Sequence, residues 1–175
     1  MIEKKQLGKG KMIILGIDPG IATLGYGVIK KEKNGKPEML DYGIISTPKE
    51  ENTAVRLAML EKGIKQIIEK FKPDEIAVEE LFFAKNVKTA ITVAHARGVI
   101  LLTAIKECGR LYEYTPLQIK QALTGYGRAD KNQIQQMVKM TLKLSAIPKP
   151  DDAADALAVA LCHAQTNKLG GLFSI

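Results

Sequence analysis

Cysteine is scarce: only Cys108 and Cys162 occur, with no C-x-x-C pair and no neighbouring histidine cluster. That pattern argues against a zinc site and more strongly against a disulfide framework, and leaves two reduced, partly buried thiols. Long apolar runs are missing too. No stretch reaches the length needed to cross a bilayer. Met12–Ile17 is too short for a signal-peptide core and runs into Asp18 instead of a cleavage site. The expectation is a cytoplasmic chain with no membrane partner. Acidic residues are outnumbered, 19 against 26 Lys and Arg, giving a formal charge of +7. A basic balance suits a polyanionic partner, and it becomes informative if the few acids gather at one place.

With 175 residues there is enough chain for one sizeable core. Residues 1–11, MIEKKQLGKGK, read as a disordered basic arm. A single domain is expected over 12–167, with a tail over 168–175. Three strands come first: Ile13–Asp18, Leu24–Lys31 and Glu38–Ser46. Asn34-Gly35 marks a hairpin between the second and third. Either Thr47 or Asn52 can cap the following helix. That helix shows a stripe of Leu57, Leu60, Ile64, Ile67, Ile68 and Phe71. Residues 74–80 form a short strand, 82–86 a loop and 88–107 a long apolar helix. A fifth strand covers 111–115. Pro116 opens a short helix, a flexible basic loop covers 125–131, and helices follow over 132–144 and from Asp151 to about Asn167. Three strands joined by short turns should be antiparallel, and strands separated by helices should be added in parallel. The predicted fold is α/β, a mixed five-stranded sheet with helices on both faces.

Acids stand beside apolar elements in three places. Asp18 ends the first strand, Glu79 and Glu80 end the fourth, and Asp151, Asp152 and Asp155 open the last helix. Taken singly, each has an ordinary explanation. Asp18 can be a turn residue before Pro19-Gly20, Glu79 an exposed strand edge, and Asp151 a helix cap. Asp155 resists such an account, because it sits a full turn into an alanine-rich face. If the first and fourth strands are neighbours and the last helix packs over their ends, the carboxylates converge. Like charges that close cannot all ionise without a cation. Hard divalent ions, Mg²⁺ above all, resolve the conflict, and two of them form the usual clamp for phosphodiester hydrolysis. His163, two turns beyond Asp155, is assigned to packing, and His95, within the long helix, to a structural or interfacial role.

Five segments carry a resemblance: GIDPG with T-x-G-Y-G-V (16–28), AVEELFFAKN (77–86), HARGVILLTA (95–104), YTPLQIKQALTGYGRADKNQIQQMV (114–138) and DDAADALAVALCH (151–163). Together, in order and with matching spacing from about Met12 to His163, they resemble the RuvC family of bacterial Holliday-junction resolvases. GIDPG by itself is shared with sugar kinases and actin-like ATPases, which need a duplicated domain for which this chain has no room. The resemblance implies an RNase H-like fold, a homodimer, and Mg²⁺-dependent paired nicking of four-way junction DNA. It implies two metal ions per site, with Mn²⁺ able to substitute, and a RuvA-RuvB branch-migration complex as partner. The family's four acidic positions fall on Asp18, Glu79, Asp152 and Asp155. Glu80 departs from the family, which often has glutamine there. Phe82 matches an aromatic that stacks on DNA, and Phe83 beside it can share that role. These two, with Lys85, make a stacking platform in a basic groove. Lys120 and Lys131 match basic residues facing the scissile phosphate, Lys131 within a mobile loop. A non-catalytic junction-binding protein of the same fold is the alternative, and nothing favours it, since all four acidic positions are filled.

Overall fold

The computed structural model describes residues 10–33, 35–80 and 87–166, without the side chains of 87–89. The order is β1 (Lys11–Asp18), β2 (Thr23–Glu32), β3 (Glu38–Ser46), α1 (Thr53–Phe71), β4 (Glu75–Glu79), α2 (Val87–Glu107), β5 (Leu111–Tyr114), α3 (Pro116–Thr124), α4 (Lys131–Leu142) and α5 (Asp151–Thr166). The sheet runs β3-β2-β1-β4-β5. The first three strands are antiparallel, and β4 and β5 are added in parallel. This is the expected mixed sheet. Among the described residues no helix is long and apolar enough to cross a membrane.

Strand alternation splits the core into two layers. Leu15, Ile17, Ile76 and Val78 point to one face, where Leu60, Ile64 and Ile68 of α1 and Ala96, Ile100 and Ala104 of α2 cover them. Ile14, Ile29 and Ala77 point to the other face, beneath α3, α4 and α5. α5 is the central pillar of that second layer. Every residue from Ala156 to Ala164 is buried, which explains the unbroken apolar run in its sequence. The helix approaches the sheet at backbone distance because the strands offer glycine below it. A Cβ on Gly16 would lie 2.2 Å from the Ala156 carbonyl, and one on Gly25 would lie 2.0 Å from the Asp152 carbonyl.

Of the two caps open to α1, Asn52 is the one used: its side chain accepts from the Val55 N–H at 3.0 Å. Thr47 is buried, donating to the Ile21 carbonyl at 2.5 Å and accepting from Arg56 Nε at 2.8 Å. The β2–β3 strands end at Glu32 and resume at Glu38, so the connection is longer than a two-residue turn; Asn34 lies outside the described residues. β1 starts at Lys11, inside the stretch assigned to the arm. α4 starts at Lys131 and ends at Leu142, shifted toward the N-terminus of the expected span.

Candidate active site

Asp18 and Glu79 are the last residues of neighbouring parallel strands, one step beyond the Ile17–Val78 pair. Both fall on the α5 side of the sheet, in alternation with Ile17 and Val78 on the other. α5 begins above them. Asp18, Glu79 and Asp155 line a single cleft of about 230 Å³ with Lys120, Lys131, Pro116, Ile119, Ile134 and Ala158. Asp152 does not line it, but its charge is near enough to raise the pKa of Asp18. Its backbone rests on Gly25, which pairs with Asp18 across β1 and β2. The four predicted carboxylates are thus brought to one end of the sheet, three in the cleft and one at its margin.

The electrostatics are those of crowded anions. Burial pushes Asp18 up to about 8, helped by Glu79, Asp155 and Asp152. Burial and then Asp155 raise Glu79 to about 7, against an opposing hydrogen bond from Asp18. Two neighbouring carboxyls raised this far are not both fully ionised near neutrality without a cation. Asp155 is also raised by burial, with Lys131 pulling the other way. Lys131 Nζ lies 3.0 Å from Asp155 and 3.4 Å from Asp151. It is a partial counter-charge for a cluster that one lysine does not neutralise.

Among the described residues, no three acidic, histidine or cysteine side chains close up tightly enough to enclose a metal ion as placed. The donor chemistry nevertheless fits one. The metal donors in the cleft are carboxylate oxygens, which suit a hard divalent cation, and burial and then mutual repulsion raise the pKa values of Asp18 and Glu79, a conflict such a cation would relieve.

Lys131 is not in a mobile loop, as expected from its glycine-flanked sequence. It is the first residue of α4, behind a capping box in which Asp130 accepts from the Gln133 N–H at 2.9 Å and Gln133 accepts from the Asp130 N–H at 2.9 Å. The D-x-x-Q pattern was the available signal. A second box, Thr115 with Gln118, starts α3 and sets the direction of Lys120. Asp151 is the first residue of α5 and not its cap; its carboxylate pairs with Lys149 at 2.7 Å. Glu80 does not line the cleft, and its N–H donates to the Tyr114 carbonyl at 2.8 Å. Phe82, Phe83 and Lys85 lie outside the described residues.

A buried polar network stands at the far ends of β4 and α5. His163 is 1% exposed. Its Nε2 meets Glu75 Oε2 at 2.7 Å and its Nδ1 meets the Tyr114 hydroxyl at 2.6 Å. The Tyr112 hydroxyl donates to the other Glu75 oxygen at 3.2 Å. Burial alone would raise Glu75, but His163, Tyr112 and Arg110 together hold it below its ordinary value. His163 is a packing residue, fastening to β4 the same helix that carries Asp152 and Asp155.

The profile of the family described as crossover junction endodeoxyribonuclease RuvC matches residues 14–163. A protein of that description from Clostridioides difficile is 59% identical over 90% of this chain and 93% of its own. One from Alkaliphilus oremlandii is 56% identical over 94% of this chain and 99% of its own. Among solved structures, Thermus thermophilus RuvC in complex with a Holliday junction superimposes with a TM-score of 0.88 at 35% identity, covering 94% of this chain and 99% of that one. The yeast mitochondrial Holliday junction resolvase Ydc2, 16% identical with a TM-score of 0.65, shares the fold.

Proposed function

The chain belongs to the RuvC family of crossover junction endodeoxyribonucleases, and from that membership we propose how its site works. The protein is an endonuclease that resolves Holliday junctions by nicking phosphodiester bonds, and it depends on a divalent metal. The observation that carries this reading is the cleft in which Asp18, Glu79 and Asp155 face Lys120 and Lys131. An acidic floor binds the cation, and basic walls bind the phosphate.

Asp18, Glu79, Asp152 and Asp155 are the residues that hold the metal, which we take to be Mg²⁺, two ions per site, with Mn²⁺ as a substitute. When bound, such ions lower the pKa of water and stabilise charge on the phosphate oxygens. The chain supplies the rest. Asp18 and Glu79 would have to be ionised to act as ligands, so binding a cation would favour loss of the protons that their raised pKa values retain. Lys131, rigid at the start of α4, exchanges its contact with Asp155 for the phosphate. Lys120 approaches from α3 on the other wall. Ile119, Ile134 and Ala158 make the wall beside them apolar, which lowers the local dielectric and strengthens each charge contact. Phe82, Phe83 and Lys85, outside the described residues, are the further DNA contacts that family membership suggests.

A four-way junction has two-fold symmetry, so two equivalent nicks call for two equivalent sites. We assign the homodimer interface to the outer face of α2, where Ile91 is 52%, Leu102 54% and Ile105 41% exposed along one stripe. A RuvA-RuvB branch-migration complex is the expected partner, and the cytoplasm the expected location. The test is incubation of the purified protein with a synthetic four-way junction and Mg²⁺. Paired, ligatable nicks that disappear with a chelator are expected. Intact junctions under these conditions contradict the reading.

A further inference from the structure

Tyr126 is 56% exposed in the loop that joins α3 to α4. A single exposed aromatic is ordinary, but this one has an unusual setting. Its backbone is held on both sides. The Thr124 hydroxyl lies 2.9 Å from the Tyr126 carbonyl, 3.1 Å from its N–H and 2.8 Å from the Lys120 carbonyl. The Ala129 N–H donates to the same Tyr126 carbonyl at 3.3 Å, and Ala129 is buried. Gly125 closes α3 in the left-handed region, with φ 71°. The basic loop is therefore anchored, and the ring projects from a fixed base.

Cations flank this aromatic along the chain. Lys120 stands before the loop and Lys131 after it, and both line the carboxylate cleft. Arg128 is exposed within the loop. An anchored, exposed aromatic in a loop that leads from one cleft lysine to the other, with Arg128 in the same loop, has the composition of a single-strand binding surface: charge tracks the backbone and the ring takes a base. An aromatic is also the cheaper choice here, because a ring on a pinned backbone loses little rotamer freedom on contact.

We propose that Tyr126 stacks on an unpaired nucleobase of the junction strand whose phosphate lies between Lys120 and Lys131. The inference rests on the nuclease reading of the cleft. It adds a base contact from the loop between α3 and α4.

The experiment places 2-aminopurine at the nucleotides flanking the mapped nicks, with binding measured in chelator so that the junction stays intact. Wild type, Y126F and Y126W should quench the fluorescence on binding. Y126A and Y126L should leave it unquenched and raise the junction Kd by roughly fivefold to a hundredfold, the range of one lost base–aromatic stack. Y126L binding and quenching like wild type would overturn the proposal, because apolar bulk would then suffice. Full quenching by Y126A would overturn it as well. Failure of wild type itself to nick the junction in Mg²⁺ would instead strike the nuclease reading, so the two failures are distinguishable.

Discussion

Asp18 is the residue on which the site's energetics turn. Its carboxyl titrates at about 8 and that of Glu79 at about 7, both far above their ordinary values of 3.8 and 4.5. A carboxyl raised in the folded state stabilises the fold at low pH, because the folded chain then binds more protons than the unfolded one. That stability is fully present below about pH 4 and is lost as pH rises through about 7 to 8. Metal-free protein should therefore melt at a falling temperature between pH 5 and pH 8.5. Asp18→Asn should flatten that slope and melt several degrees higher than wild type at pH 8. Adding Mg²⁺ should raise the melting temperature at pH 8 and do little at pH 5. Differential scanning calorimetry across this range checks all three, and a wild-type melting point that rises toward pH 8 in chelator would contradict them. Asp18 was legible in the sequence because a carboxylate ending an apolar strand is costly unless paired. Glu75 was not, since its partner His163 lies 88 positions away, and nothing local in either residue announces the other.

At the scale of elements, the site depends on how closely α5 meets the sheet. Gly25 is the critical spacer. It pairs with Asp18 across β1 and β2, and the Asp152 carbonyl sits where its Cβ would be. Gly25→Ala must push the first turn of α5 outward, since the obstructing atom is backbone. The cost should be about 1–3 kcal/mol of stability. The effect on cleavage should be larger, about a hundredfold in kcat, as expected when a ligand is displaced by roughly an ångström. Junction affinity in chelator should stay near that of wild type. Single-turnover cleavage and a thermal melt, run together, separate these effects; a variant that melts lower but cleaves normally would show that α5 has slack. The five strands and five helices were readable from periodicity and from Pro and Gly punctuation. The placement of Lys131 was not, because Gly-Tyr-Gly-Arg suggests mobility while Asp130 and Gln133 together cap a helix immediately after it. Thr47 misled in the opposite way: it has a capping sequence, but burial gave its hydroxyl to the Ile21 carbonyl.

For the whole molecule, charge and symmetry decide function. A net charge of +7 coexists with an acidic cleft, so DNA is attracted globally while its scissile phosphate needs cations locally. The apolar stripe of Ile91, Leu102 and Ile105 on α2 faces away from the core of its own chain. Leu102→Glu should shift the protein from dimer to monomer in sedimentation, with paired nicking falling at least tenfold while the melting temperature changes little. A variant that stays dimeric would place the interface elsewhere. The proposed dimer face was legible only as an excess of apolar residues around α2, since the sequence does not say which face the sheet covers. Asp18, with Glu79, Asp152 and Asp155, is proposed to form the metal site that cuts the junction. That assignment is tested most directly by comparing Asp18→Asn with wild type on one synthetic four-way junction, measuring binding and Mg²⁺-dependent nicking together. The account predicts full binding, within about twofold of wild type, and nicking reduced at least about a thousandfold, a loss of about 4 kcal/mol of transition-state stabilisation. Nicking at the wild-type rate by Asp18→Asn would contradict it.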